Sequence, residues 1–522
     1  MLSSEKTGGT ATGAEVLAEW RDSREALKFS FILPVYRTEK YLEESIRSIL
    51  GQSYRNVEII AVLDGPSPAA RRLLKKKFAG KVKVIQQDHG GAPKARNRGA
   101  VEATGDILVF WDSDCYMCEG ILHHWFNIFM GMPDVAFIYG GYRFRGQTNL
   151  QGHFPAGDFD PYMLTTSNHC STMSPMRRAA FPGWDESLIR LQDWDVFLSI
   201  TEKGGRGVLM PQIHFETEAP KEGDISTSKV ITLARACQVV KAKHDIPYRP
   251  IRVSSFVDHN VALSIAKMLG ADFENDPAVI PGYDHKLLYM IGMYPQALPQ
   301  HMVSLKGTDG VRVIHWLGTD ALSLFRTMRY GDVEAIADAL KEHVRHHWCD
   351  GVETQRLLKK IRISAKDMPV PMQVPIRSAP MPAPGDRRVL VDGPGYDKAL
   401  QGIVRAVPDI PLDMREGPIP IEKYCALIRL SPISARDQTA LEFLMHGRHV
   451  FGNIKEKYFG YVGEFDEENY VKSRAILVNK LRKIFHKEKI PRNSEAMGYY
   501  KSMYGMGTTE GRLSEMAKHA KR

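Results

Sequence analysis

Residues 89–114, HGGAPKARNRGAVEATGDILVFWDSD, decide how this chain is read. A basic segment punctuated by glycines leads into ILVFW, Ile107 to Trp111, a continuous apolar run of the kind shown by a parallel strand buried on both faces. The run stops at Asp112-Ser113-Asp114. Side chains alternate along an extended chain, so Asp112 and Asp114 are expected on the same side of it. Two hard carboxylates at the carboxyl end of a buried strand suit Mg²⁺ or Mn²⁺ carrying a diphosphate, and that end is where open α/β sheets take ligands. Lys94, Arg96 and Asn97 lie in the basic segment, where cations can balance what the metal leaves unneutralised. An isolated Arg usually ends in a surface pair, but such a pair contributes only about 0–1 kcal/mol and would not explain an Arg set among glycines. The expectation is a site for a nucleotide-linked substrate.

Two further stretches frame this one. Upstream, FSFILPVYRTEKYLEESIRSILGQSYRNVEIIAVLDGPS, beginning at Phe29, reads as strand, helix and strand. Downstream, FPGWDESLIRLQDWDVFLSITEKGG, beginning at Phe181, carries Gln192-Asp193-Trp194-Asp195. The three in this order resemble the family-2 glycosyltransferases of the GT-A fold, over about Phe29 to Ser226. KARNRGAVEATGDILVFWDSD is similar to their Ala-Arg-Asn-x-Gly segment leading into the metal-binding DxD, here Asp112, Ser113 and Asp114.

The resemblance implies roles. Pro34 and Tyr36 match positions that contact the base and sugar of the nucleotide, with a strand-ending Pro and a packed Tyr as the other reading. Asp64 matches the second aspartate of an Asp-Asp-Gly; Leu63 stands where the first would be, which puts the identity of the base in doubt. Gln192 replaces a leading Glu, so the general base falls to Asp193, with Asp195 as its alternative. Both could instead serve as charges at a helix N-terminus. Trp184, Asp185 and Glu186 match the acceptor pocket, where a Trp could stack on a sugar or lie in the core. His214 would be a third metal ligand if it followed some GT-A enzymes, and a structural histidine otherwise.

At 522 residues the chain is expected to form two or three domains. Hydrophobic residues at 43% and charged residues at 25% are those of an ordinary globular protein. No run of about 18 apolar residues occurs, and the N-terminus has no signal-peptide core, so the expected location is cytoplasmic. Six scattered cysteines form no disulfide framework. Cys115-x-x-Cys118 has no second Cys or His pair to complete a zinc site. A net charge of +9 fits a polyanion without choosing which.

The fold class expected is α/β: a polar lead (1–28), a GT-A catalytic domain with a Rossmann-like mixed sheet (29–226), a helical linker (227–249), a second α/β domain (250–485) and a basic tail (486–522). The second domain resembles the Rossmann-like lobes of GT-B glycosyltransferases, its halves joined by a Pro-rich crossover from Met368 to Pro384. That likeness makes Arg429, the Pro432 to Asp437 loop and Glu442 candidates for a second nucleotide site. The reading as a whole is a metal-dependent, inverting glycosyltransferase using Mn²⁺ or Mg²⁺ and a nucleotide-diphosphate sugar, a UDP-sugar foremost. Its acceptor would be a hydroxyl on a glycan, protein or lipid-linked saccharide. The alternatives are a phage-type DNA glycosyltransferase acting on a hydroxymethylated base and a nucleotide-sugar- or carbohydrate-binding adaptor with a decayed site.

Overall fold

A computed structural model describes residues 27–146, 152–153, 158–219, 232–255, 257, 259–274, 285–307, 310–327, 330–367, 382–383, 386–392, 397–414, 423–430, 440, 443–444, 446, 448–452, 460–461, 469–485, 494–495, 513–514 and 516–517. The chain divides into two compact units, Met1–Ile246 and Pro247–Arg522.

The first unit opens with β1 (Phe29–Val35), α1 (Glu39–Leu50), β2 (Val57–Asp64), α2 (Pro68–Lys77), β3 (Val82–Gln87), α3 (Ala92–Glu102) and β4 (Ile107–Phe110). These are the βαβ repeats expected from alternating apolar runs and amphipathic segments. In α1 the buried residues Leu42, Ser45, Ile46 and Ile49 recur at helical spacing, so one face seals the sheet. All four residues of β4 are buried, as the ILVF run predicts. Then come β5 (Cys115–Met117), α4 (Ile121–Gly131), β6 (Val135–Phe144), β7 (Gly152–His153), α5 (Pro161–Thr166), β8 (Met176–Arg177), α6 (Gln192–Glu202), β9 (Arg206–Thr217) and α7 (Leu233–Lys243).

The sheet runs β3-β2-β1-β4-β8-β6-β9-β5, with β7 on β6. Strands β1 to β4 are parallel, whereas β8 is antiparallel to both β4 and β6. From β1 the chain steps to β2 and β3 on one side and then crosses to β4 on the other. That reversal makes a switch point at the carboxyl ends of β1 and β4, where loops part and a ligand can enter.

Two glycines set the geometry of α3. A Cβ on Gly99 would lie 2.3 Å from Ile32 Cγ2 and 3.2 Å from Val62 Cγ2, so only glycine lets the helix sit this close to β1 and β2. Gly91, the residue before the helix, has φ +89°, which favours glycine.

The second unit contains two wholly parallel sheets among the described residues. One comprises β10 (Ile251–Ser254), β11 (Asp272–Phe273), β12 (Leu287–Ile291), β13 (Val311–Trp316), β14 (His346–Cys349) and β15 (Lys366–Asp367), in the order β11-β10-β12-β13-β14-β15. The other comprises β16 (Arg388–Asp392), β17 (Leu412–Met414), β18 (Tyr424–Arg429), β19 (His449–Gly452) and β20 (Gly460–Tyr461), in the order β17-β16-β18-β19-β20. Each has its first strand inside its second, a doubly wound order with its own switch point. Helices α8 (His259–Leu269), α9 (Leu298–Lys306), α10 (Thr319–Thr327), α11 (Tyr330–His343) and α12 (Val352–Lys360) go with the first sheet, and α13 (Asp397–Ala406) and α14 (Tyr470–Phe485) with the second.

Among the described residues no helix is long and apolar enough to cross a membrane. The six cysteines are unbridged. Glu442, the loop from Pro432 to Asp437 and nearly all of the Pro-rich crossover from Met368 to Pro384 lie outside the described residues, as does nearly all of the basic tail.

Candidate active site

At the switch point of the first unit the loop after β1 and the turn after β4 are tied together. Ser113, 3% exposed, places its Oγ 2.5 Å from Thr38 Oγ1 and donates to the Pro34 carbonyl at 3.3 Å. Here the structure corrects one expectation. Asp112-Ser113-Asp114 is not extended: β4 ends at Phe110, Ser113 and Asp114 form a turn, and the Cys115 N–H donates to the Asp112 carbonyl at 3.1 Å. The alternation argument therefore does not apply to the two carboxylates. The chain turns there because the strand must reverse into β5, which pairs antiparallel with β9.

Arg96 is the hub of the site. It is 5% exposed, donates from Nη2 to Asp112 Oδ1 at 2.8 Å and from Nη1 to Gln192 Oε1 at 3.3 Å, and lies 4.8 Å over the Trp184 ring. One guanidinium thus joins the Asp112 turn to the start of α6, 80 residues further on. Because Gln192 is neutral, only one carboxylate, Asp112, offsets the charge of Arg96 in these contacts. Its Nε is buried and lacks a partner among the described residues, an unmet donor beside Asp112.

Asp193 follows Gln192 in the first turn of α6 and is half-buried. Its Oδ1 accepts from the Trp194 N–H at 2.9 Å and its Oδ2 from Thr172 Oγ1 at 3.4 Å. Burial pushes its carboxyl above the usual value, while the Trp194 N–H, the Arg96 charge and Asn168 pull the other way. A carboxylate of raised basicity near a fixed cation can take a proton from a hydroxyl. Leu191, just before the helix, has φ +61°, a strained backbone of the sort that collects at functional sites.

Asp195 is placed differently from its alternative role as base. It is 2% exposed, and its oxygens are taken by Lys243 Nζ at 2.8 and 2.9 Å and His244 Nε2 at 2.9 Å. It anchors α7, which belongs to the first unit rather than forming a free linker. His214 likewise forms no metal-holding cluster with Asp112 and Asp114. It is 2% exposed, donates from Nε2 to the Met210 carbonyl at 3.2 Å and packs 5.5 Å from the Trp125 ring; burial lowers its pKa to about 4. Among the described residues no three of His, Cys, Asp and Glu form a metal cluster.

The acceptor-side residues are held from below. Trp184, 4% exposed, sits edge-on to Phe110 at 5.0 Å with Arg96 over its face, so it serves as core and as a seat for the guanidinium. Asn97 Nδ2 donates to the Trp184 carbonyl and to Glu186 Oε1, both at 2.9 Å, and its Oδ1 accepts from the Trp184 N–H at 2.8 Å. Asp185 accepts from Lys243 at 2.7 Å.

At the nucleotide end, Tyr36 is 42% exposed and stacks on His89 at 4.1 Å, with Arg37 5.0 Å from its ring centroid. Asp64 is 2% exposed and accepts from Gln87, His89 and the Gly90 and Gly91 N–H groups at 2.8–2.9 Å. Both its oxygens are spent on the loop that starts α3. Lys94 is exposed on the first turn of that helix. In the second unit, Arg429 at the end of β18 pairs with Asp392 at the end of β16 at 2.9 Å, at that sheet's switch point.

Sequence reasoning missed Thr172, Asn168, His89, Lys243 and His244. The first two and the last two reach the site from distant segments, so no local spacing marks them. His89 opens residues 89–114, and its place before Gly90-Gly91 is the available signal.

Residues 30–181 match the protein family described as Glycosyl transferase family 2. Over 89 residues the chain is 36% identical to Glycosyltransferase GlyA of Streptococcus pneumoniae, a match covering 17% of this chain and 13% of that protein. Over 188 residues it is 26% identical to an uncharacterized glycosyltransferase of Rickettsia bellii, covering 33% of this chain and 27% of that one. Over 107 residues it is 35% identical to the minor teichoic acid biosynthesis protein GgaB of Bacillus subtilis, covering 19% of this chain and 12% of that one. The chain thus spans only a minor part, 12–27%, of these relatives' own lengths. Among solved structures it is similar to S. aureus TarS 1-349 in complex with UDP-GlcNAc, at 16% identity and a TM-score of 0.35, covering 61% of this chain and 80% of that one. The segment from Ser30 to Phe181, with its parallel strands, its Arg96 hub and its Asp112 turn, is a glycosyl transferase family 2 domain.

Proposed function

We propose that this chain is a metal-dependent, inverting glycosyltransferase that moves a sugar from a nucleotide-diphosphate donor, a UDP-sugar foremost, to a hydroxyl of a glycan or lipid-linked saccharide. The observation that carries the reading is Arg96, which reaches Asp112 at 2.8 Å and Gln192, the neighbour of Asp193, at 3.3 Å. Donor and base motifs thereby meet at one buried cation.

The residues present fit a hard divalent cation: Asp112 is a third exposed, spends one oxygen on Arg96 and leaves the other for a ligand. Asp112 and Asp114 would hold Mn²⁺ or Mg²⁺, which would supply positive charge to the departing diphosphate. Arg96 steadies the same diphosphate with charge that its neutral partner Gln192 does not cancel. Tyr36, exposed and stacked, offers a face for the base. Asp193 takes the proton of the acceptor hydroxyl as it attacks the anomeric carbon, giving inversion without a covalent intermediate.

The second unit, with two doubly wound sheets, would be a GT-B-like module, with Arg429 and Glu442 as candidates for holding a nucleotide. The match to a relative named for minor teichoic acid biosynthesis favours a surface glycan over DNA as the acceptor class.

A panel of nucleotide sugars, incubated with the full chain with and without Mn²⁺, tests the reading by release of nucleoside diphosphate. Metal-dependent release from at least one donor, lost in Asp193→Asn, is expected. Release from none, or release indifferent to the substitution, would overturn it.

A further inference from the structure

The family match ends at residue 181, yet the contacts that fix the acid motif continue beyond it. Lys243, the last residue of α7, donates to Asp185 Oδ2 at 2.7 Å and reaches Asp195 Oδ1 at 2.8 Å. His244, the next residue, sets Nε2 2.9 Å from Asp195 Oδ1 and Nδ1 2.8 Å from Glu202 Oε1. The side chains of Asp195 and His244 are 3% and 4% exposed.

We infer that Lys243 and His244 are positioning residues for transfer, a clamp by which α7 holds the acceptor-side loop at Asp185 and the helix carrying Asp193 in one fixed relation. This rests on the reading of Asp193 as the base.

The chemistry of the clamp is directional. Both ring nitrogens of His244 face carboxylate oxygens, an arrangement met fully only by the imidazolium, which donates from both. Asp195 and Glu202 are seven residues apart on α6, two turns along one face, so His244 grips that helix at two points. Lys243 then joins the helix to the loop. Asp185 is next to Trp184, whose ring seats Arg96, and Asp195 is two residues past Asp193.

Removing either cation leaves the buried Asp195 underpaired beside other acids, which a protein relieves by shifting backbone or admitting water. The strained start of α6, with Leu191 at φ +61°, is the part with strain to release. The donor end is tied separately, through Ser113 to Thr38 and Pro34. The clamp should therefore act on turnover and acceptor use, and leave donor binding alone.

Full-length Lys243→Met, Lys243→Arg and His244→Gln test this with three readouts: calorimetric binding of UDP with Mn²⁺, steady-state transfer, and amide hydrogen exchange. Expected for Lys243→Met and His244→Gln is a kcat lower by about 10–100-fold, the scale of a misplacement of about 1 Å in a reacting pair. UDP affinity should stay within about threefold, a difference of about 0.65 kcal/mol or less. Exchange should quicken in residues 184–202, and Lys243→Arg should recover most of the rate. Unchanged kcat and unchanged protection of residues 184–202 in both variants would overturn the clamp. So would a parallel loss of UDP binding and thermal stability, because it would mean general unfolding. If the wild-type chain turns over no nucleotide sugar, the glycosyltransfer reading falls, while the exchange measurement still decides whether α7 holds residues 184–202.

Discussion

Arg96 and Gln192 meet at 3.3 Å in the buried floor of the site, a cation against a neutral amide at a position where a glutamate would make a full ion pair. Gln192 is itself fixed, its Nε2 donating to the Leu188 carbonyl at 2.6 Å. The guanidinium is held in place by Gln192 and Trp184 without being neutralised by them. Gln192→Glu should therefore weaken UDP binding by consuming that charge, by about 5–30-fold if one charge-assisted bond of roughly 1–2 kcal/mol is diverted. It should also set a second carboxylate beside Asp193, whose pKa burial already raises. A base works only when deprotonated, so the acid limb of the kcat profile should move to higher pH. An unmoved limb would mean that Asp193 is not the titrating base.

Asp112 and Asp114 make a separate forecast. On the proposal that they hold a divalent cation, Asp112→Ala removes both a ligand of that cation and the ion partner of Arg96, whereas Asp114→Ala leaves the Arg96 contact intact. Both should abolish Mn²⁺-dependent UDP binding in calorimetry. Only Asp112→Ala should also free Arg96 and preserve some metal-independent affinity for UDP. Full, metal-independent binding by the double variant would remove the motif from the mechanism.

On the proposal that Asp193 is the base, Asp193→Asn keeps the shape and the Trp194 N–H contact while removing the proton acceptor. UDP affinity should hold within a few-fold and turnover should fall by about 10²–10⁴. Asp195→Asn should behave otherwise. With its oxygens engaged by Lys243 and His244, that substitution should lower the melting temperature along with the rate.

Packing offers a test free of ligands. Gly99→Ala places a methyl 2.3 Å from Ile32 Cγ2, inside contact distance, between α3 and the central strand. The helix must lift from the sheet, costing about 1–3 kcal/mol, readable in denaturant unfolding. Since Arg96 and Asn97 ride on that helix, activity should fall more steeply than stability.

The legible parts of this fold are those written in contiguous residues. The ILVF run and the alternation of apolar strands with amphipathic helices each act within a few residues, whereas the close approach of α3 that needs Gly99 is set by Ile32 and Val62, 67 and 37 residues upstream. The α/β character of the second unit is legible for the same reason, from runs such as VRVIHW and RRVLVD, which form β13 and β16, whereas the order of its strands is not. What escaped depends on chain reversal or on partners from afar. The turn at Ser113 and Asp114 follows from β5 having to pair with β9, about a hundred residues on. Asp195 is claimed by Lys243 and His244, 48 and 49 residues downstream, and nothing around Asp195 announces them. His214 sits in a strand whose pairing buries it, and a lone His carries no mark of that in sequence. Trp184 was open between core and sugar platform; its burial beneath Arg96 decides for the core.

Asp64 separates two roles that sequence alone leaves joined. A resemblance assigns it to the nucleotide, yet its two oxygens accept from Gln87, His89 and the Gly90 and Gly91 N–H groups, and it is 2% exposed. As an anchor, it orders the loop that presents Lys94 and Arg96 and holds His89 against Tyr36. Asp64→Asn would replace one accepting oxygen by an NH₂ facing donors, leaving buried N–H groups unmet at about 1–3 kcal/mol. The expected outcome is a lower melting temperature without any nucleotide present, together with weaker binding of UDP, CDP and GDP alike. If Asp64 instead reads the base, stability should hold and only the preferred nucleotide should lose affinity. Thermal unfolding of the ligand-free variant beside calorimetry with the three diphosphates distinguishes the two, and a stable variant with altered base preference would return Asp64 to the base.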